Sequence, residues 1–211
     1  MRKMIAALMG VLFMALPLSA AYAAPDDEAF VQDKANEALA ILADDSLDQS
    51  AKTARFRDYV DTVTDVPRVA RFVLGKYARG VDPEKITEFT AVFREYASGV
   101  YEKQLGNFGG EILKVKGSKD RKPGDSVVAS VISGGQLDKP LDVNWRIRTR
   151  NGKKTVLDVQ IFGIWLALQQ RNEITAVIAN NGGKIDAAIK VLKDKVSKGD
   201  FGSQSKETEH H

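Results

Sequence analysis

LDVNWRIRTRNGKKTVLDVQIF, residues 141–162, is the stretch that decides the fold. Its first half alternates, with Leu141, Val143, Trp145 and Ile147 on one side and Asp142, Asn144, Arg146 and Arg148 on the other. That is the period of a strand with one face in water. Asn151-Gly152 then supplies the pair of residues that a two-residue hairpin requires. The chain returns with Leu157, Val159 and Ile161 opposite Asp158 and Gln160, so Asp142 and Asp158 both read as solvated.

Working outward, SVVASVI (126–132) is a second strand, bounded by Lys122-Pro123-Gly124 and Ser133-Gly134-Gly135. EILKVK (111–116) is a third, and the Gly106 to Gly110 run before it reads as a plain turn, without the spacing of a phosphate-binding loop. Upstream, the period is helical. Val31, Ala35, Ala38 and Leu42 form one stripe between Asp26 and Ala43. Ser46 with Gln49 predicts a capping box for a second helix carrying Phe56, Val60 and Val63. Pro67 sits at the start of a third helix ending near Gly75 to Gly80. Asp82-Pro83 opens a fourth that reaches about Leu105, with Phe89, Phe93, Tyr96 and Val100 along its stripe. Downstream, GIWLALQQRNEITAVIAN (163–180) reads as a helix entered directly from the strand and stopped at Asn181-Gly182-Gly183. Ile185, Ala188, Ile189, Leu192 and Val196 mark a last helix. Helices, consecutive antiparallel strands and helices again predict an α+β fold.

The N-terminal 23 residues carry a basic start at Arg2 and Lys3, an apolar stretch and Ala21-Tyr22-Ala23, the pattern of a cleaved secretory leader. The expected organisation is a leader over 1–23, one domain over 24–198 and a polar tail over 199–211. There is no cysteine in the chain, which excludes disulfides, a lipid-modified cysteine and thiol catalysis. A secreted chain without bridges points to a bacterial periplasm. The 31 Lys+Arg barely outnumber the 28 Asp+Glu, two of the bases lie in the leader, and no basic track with interleaved aromatics appears, so nucleic acid is a poor partner. The two histidines are His210 and His211, so neither a Ser-His-Asp triad nor a histidine zinc site can form in the folded body. Nothing calls for a cofactor or metal.

DVPRVARFVLGKYAR, EFTAVFREYASGVYEKQL and VLDVQIFGIWLALQQRNEITAVIANNGGKIDAAIKVLK together resemble the MlaC family of periplasmic phospholipid-binding proteins, also called toluene-tolerance auxiliary components. The run from Phe72 to Tyr77, the Phe89/Phe93 pair and the Asp158, Gly163, Arg171 spacing carry the likeness. Ala78 and Trp165 depart from the family's pattern. The resemblance implies an NTF2-like fold in which N-terminal and C-terminal helices pack on a curved antiparallel sheet and enclose an apolar pocket. It implies a soluble carrier of phospholipid, moving between an outer-membrane lipoprotein complex and an inner-membrane ABC transporter, with transient membrane-surface contact, in a system that maintains outer-membrane lipid asymmetry. It implies no catalysis by the chain itself.

For the pocket, the apolar candidates are Phe72, Leu74, Tyr77, Phe89, Phe93, Tyr96 and Tyr101 from the helices. Leu141, Val143, Trp145, Ile147, Val159 and Ile161 are those from the strands, and Ile164 and Trp165 those from the junction. Core packing explains each of them equally well. Arg146, Arg148, Arg150, Lys153 and Lys154 crowd one hairpin and are either a solvated face or a docking surface for anionic head groups or an acidic partner. Two other functions stay open. One is an NTF2-like enzyme acting on a hydrophobic substrate, for which the alternation supplies no inward acid or base, and the other an interaction protein with a filled core. A carrier of hopanoids or other polycyclic lipids is a variant of the first reading.

Overall fold

A computed structural model describes residues 25–105 and 110–201, without the side chains of 25 and 101–105. The expected leader, the Gly106 turn up to residue 109, the Tyr101 side chain and the tail beyond 201, with His210 and His211, lie outside the described residues.

Among the described residues, six α-helices and five strands follow in the order α1 (Pro25–Leu42), α2 (Gln49–Val63), α3 (Val66–Leu74), a 3-10 turn (Gly75–Ala78), α4 (Pro83–Leu105), β1 (Glu111–Lys122), β2 (Asp125–Gly134), β3 (Leu141–Arg150), β4 (Lys153–Ile161), β5 (Ile164–Trp165), α5 (Leu166–Asn180) and α6 (Ile185–Ser197). The sheet runs β1-β2-β3-β4-β5 with every neighbour antiparallel, and it curves without closing. The predicted α+β architecture is the observed one.

Local chemistry explains most of the boundaries. Asp82 accepts from the Glu84 amide at 2.9 Å and starts α4, as its pairing with Pro83 predicts. Asp65 does the same for α3 through the Arg68 amide. The capping box predicted at Ser46 is replaced: Asp48 caps α2 through the Ala51 amide at 2.8 Å, while Ser46 bonds back to Asp44. Both types of cap accept the same orphan amides, and the residue nearer the helix won. At Asn151-Gly152 the φ values of +50° and +74° are those of the predicted hairpin turn. β1 runs six residues past its expected end because GSKDRK pairs with β2 without burying an apolar face; a bulge between Val115 and Gly117 interrupts the alternation that would have revealed it.

Helix α1 lies on the sheet face that holds Val128, Ile147 and Val156 and packs Val31 against them. It also finishes the open edge of β1. The Gln32 amide donates to the Leu113 carbonyl at 3.0 Å and accepts from the Val115 amide at 3.1 Å, as a neighbouring strand would. A second apolar cluster is wholly helical. Phe89 of α4 is completely buried there with Val73 and Leu74 of α3, Ile178 of α5 and Leu192 of α6, each fully buried side chain contributing about 1.5–3 kcal/mol.

The basic hairpin is largely spent on the fold. Arg146 binds both carboxylate oxygens of Asp125, at 3.0 and 2.8 Å, and Arg148 stands 3.7 Å from the same group, which is only 2% exposed. Lys154 reaches Asp27 at 2.5 Å, on the α1 side of the sheet. Arg150 and Lys153 stand exposed at the tip. The Arg146 hydrogen bonds hold the Asp125 carboxyl below the usual carboxylate range, so the pair adds stability above that range and loses it as pH falls through the depressed value. Arg146→Ala is expected to lower folding stability by about 1–3 kcal/mol at pH 7, the cost of leaving a buried polar group unpaired. Denaturant titrations of variant and wild type should converge as the pH is lowered.

Candidate functional site

The two apolar clusters do not meet. Between them, at the β4 edge of the sheet, lies a cleft with a cavity of about 150 Å³, or about 1140 Å³ when the space is counted out to its open mouth. Helix α2 contributes Thr53, Phe56, Arg57 and Val60; α3 contributes Val66 and Val69. Helix α4 adds Phe93, Tyr96, Ala97 and Val100, and the floor comes from Val156 to Val159 of β4 with Leu166 and Ala167 of α5. Most of the wall is hydrocarbon.

The cleft exists because β4 is incompletely paired on its outer side. β5 covers only Gln160 and Ile161, and Thr64 makes a single parallel bridge to Val156. Between these two contacts the strand bulges: Arg146 faces Asp158 and Ile147 faces Val156, which leaves Leu157 as an extra residue. The bulge overturns the simple alternation in this strand. Val156 rather than Leu157 is buried, while Asp158 keeps its place opposite Arg146 and, expected in water, is instead 8% exposed because the start of α5 covers it; it forms part of the cleft wall.

Asp158 has a structural task there. Its Oδ1 accepts from the Ala167 amide at 2.8 Å and from its neighbour Val159 at 2.9 Å. Helix α5 has no cap from its own N-cap residue, Trp165, so a strand carboxylate satisfies its first turn. Burial pushes the Asp158 carboxyl above its ordinary pKa, against the opposing pull of these amide bonds and of Arg146. The predicted direct passage from strand to helix at GIW is also corrected. Phe162-Gly163 turns the chain back, and Ile164-Trp165 pair with Ile161 and Gln160 before the helix begins.

Of the pocket candidates, Phe93, Tyr96 and Val159 line the cleft. Phe89 stacks behind Phe93 with ring centroids 5.8 Å apart, and Leu74 is sealed in the helical core. Phe72 lies under the Arg171 guanidinium at 4.9 Å, and Tyr77 under the Lys76 ammonium at 5.1 Å. Val143 and Ile147 are buried in the sheet, and Trp145 donates to the Ser130 hydroxyl at 2.8 Å. Leu141, Ile161 and Trp165 are half-buried and Ile164 is exposed; none of these lines the cleft. The α2 wall was legible only as a stripe. Phe56 and Val60 sit on one side of that helix, and the sequence gives no sign that the stripe faces a void.

At the cleft wall Arg94 of α4 grips Asp61 of α2 through both Nε and Nη2. Among the described residues no group of His, Cys, Asp or Glu side chains is arranged to hold a metal, and no helix is long and apolar enough to cross a membrane. The raised Asp158 carboxyl binds its proton more tightly in the folded chain than in the unfolded one. It therefore costs stability as pH climbs from about 4 through the raised value. Asn at 158 keeps an oxygen for the two amides without the charge. Thermal melts of Asp158→Asn and wild type should diverge in favour of the variant between pH 4 and pH 7; a constant difference would show that the carboxylate is not desolvated.

The family model described as MlaC protein matches residues 32–194. Among solved structures, the phospholipid-binding protein from Ralstonia solanacearum, determined in complex with a phospholipid, superposes with a TM-score of 0.73 at 20% identity, over 82% of this chain and 97% of that one. No curated protein matches. With the family model spanning α1 to α6, the chain belongs to the MlaC protein family.

Proposed function

We propose that this protein is a periplasmic carrier that holds the acyl chains of a phospholipid in the cleft between α2, α4, α5 and β4. The observation that carries the reading is the apolar void where two hydrophobic clusters fail to meet. Family membership and the phospholipid complex of the Ralstonia protein support the ligand class. The physical need is large: about 0.8 kcal/mol per methylene exposed to water amounts to on the order of 20 kcal/mol for two ordinary chains.

A cavity of about 150 Å³ is the size that holds a benzene ring. A lipid tail therefore requires the wall to move. Helix α2 is the wall suited to this, because it has no buried residue. It is held by the Arg94–Asp61 pair, by the Tyr59 hydroxyl on the Lys34 carbonyl at 2.5 Å and by the Thr64 bridge. Tails then fill the space beneath α2 while the head group stays in water. The cargo moves between outer-membrane and inner-membrane transport complexes after the leader is removed, and Arg150 and Lys153 remain exposed for contact with an acidic partner. Energy for the transfer comes from the membrane complexes, since the cleft offers binding without chemistry.

An enzymatic reading draws on Asp158, a buried carboxyl in an apolar cleft. Its Oδ1 is engaged by main-chain amides that start α5, which gives the carboxyl a structural task, and no histidine stands in the folded body to partner it as a proton relay.

Protein purified from the periplasm should carry stoichiometric phospholipid, read by native mass spectrometry and by lipid analysis after solvent extraction. Ala97→Trp, which fills the void from α4, should cut the loaded fraction at least fivefold while leaving the circular dichroism spectrum unchanged. Empty wild-type protein, or equal loading of the two, would overturn the carrier reading.

A further inference from the structure

Among the described residues, two two-residue hairpin turns share one backbone shape and are filled differently. One is Asn151-Gly152, at φ +50° and +74°; the other is Phe162-Gly163, at φ +51° and +79°. Asparagine is a favoured residue at the first position, because its short polar side chain tolerates the left-handed region. Phenylalanine is not, and its ring gains little burial from the fold: Phe162 is 73% exposed. An aromatic in a strained conformation, held in water at the apex of a turn, points to a role for its side chain outside the molecule.

Its surroundings extend the pattern. The large hydrophobic residues exposed among those described are Ile112, Leu137, Phe162, Ile164 and Leu168. The register places the first four at one end of the sheet, where β1 begins, β2 hands over to β3, and β4 turns into β5; Leu168 follows in the first turn of α5. The opposite end carries the basic Asn151-Gly152 hairpin.

We infer that the Phe162-Gly163 hairpin is the point at which this protein dips into the surface of a phospholipid bilayer. The inference rests on the carrier reading and adds where its cargo crosses. Three observations favour lipid over a protein partner. The apolar side chains stand on separate strand ends and turns spread from β1 to β4, about 15 Å across the sheet, whereas a stable protein interface needs a contiguous patch of about 800 Å² on each side. Fluid acyl chains accept separate protrusions. Charges at this end are mixed, with Lys114 and Lys139 near Glu111, Asp138 and Asp142, so no field selects a charged partner. Finally, the hairpin runs without a break into the first turn of α5, where Leu166 and Ala167 line the cleft while Leu168 faces water. The hairpin that touches the bilayer is thus beside the wall of the cleft in which the tails lie.

The test compares the full mature chain with Phe162→Asn and Phe162→Trp in sedimentation with phosphatidylcholine vesicles. Asn restores the residue the turn prefers, so the melting temperature should not fall, while vesicle affinity should drop about tenfold. Trp should keep the wild-type affinity, and raising the salt should change little. Equal affinity of the Asn variant and wild type would overturn the inference, as would wild-type protein that ignores vesicles but forms a dimer, or binds a transport complex, through Phe162. Phospholipid content of the cell-purified protein separates the two claims: vesicle binding through Phe162 by a lipid-free protein sinks the carrier reading alone, and a loaded protein whose Asn variant binds vesicles normally sinks this one alone.

Discussion

A β-sheet that stops without closing leaves a row of main-chain groups that must find partners, and this protein's architecture follows from how each edge is treated. At β1 the side chain of Gln32 stands in for a missing strand. At β4 the solution is different: a bulge, a two-residue strand and one bridge cover part of the edge, and Asp158 turns inward to bind the first amides of α5. That carboxylate welds a helix to the sheet edge at a point where continuous strand pairing would have left no space. The cleft is the consequence.

The helical cluster and the sheet cluster can each be stable without touching because each satisfies its own apolar surface. Phe89 and Leu192 are sealed among helices, and Val128 and Ile147 beneath α1. What remains between them is bounded by α2, a helix whose side chains are all at least partly accessible. A wall of low intrinsic burial costs little to displace, since little apolar contact is broken when it moves. On the proposed carrier reading, α2 is the element that yields while its surroundings stay fixed, as taking up and releasing a long flexible ligand requires.

The sheet is also polarised along its strands. Its basic end looks in the sequence like a free cationic surface, yet Arg146, Arg148 and Lys154 are committed to Asp125 and Asp27. Its other end gathers exposed aliphatic and aromatic side chains beside the cleft wall. The residues that carry the family likeness have structural work of the same kind: Asp158 caps α5, Gly163 permits the turn at φ +79°, and Arg171 lies over Phe72 with its guanidinium close against Gly75.

The sequence by itself determined the α+β class, the hairpin at Asn151-Gly152, the helix start at Asp82-Pro83 and the stripes of α1, α4 and α6. Each is a local property, fixed by side-chain period or by the backbone demands of a few neighbouring residues. Tertiary structure decided which apolar side chains face a void and which face one another. Phe93 and Phe89 lie four apart on one stripe, yet one lines the cleft and the other is sealed. It also decided the fate of Asp158, because the first turn of α5 packs over a carboxylate that its own strand places on the water side, while an extra residue in β4, absorbed by pairing with β3, brings Val156 inward in place of Leu157. Alternation is a rule about one strand; a bulge and a cavity are relations between elements that only the assembled chain can specify.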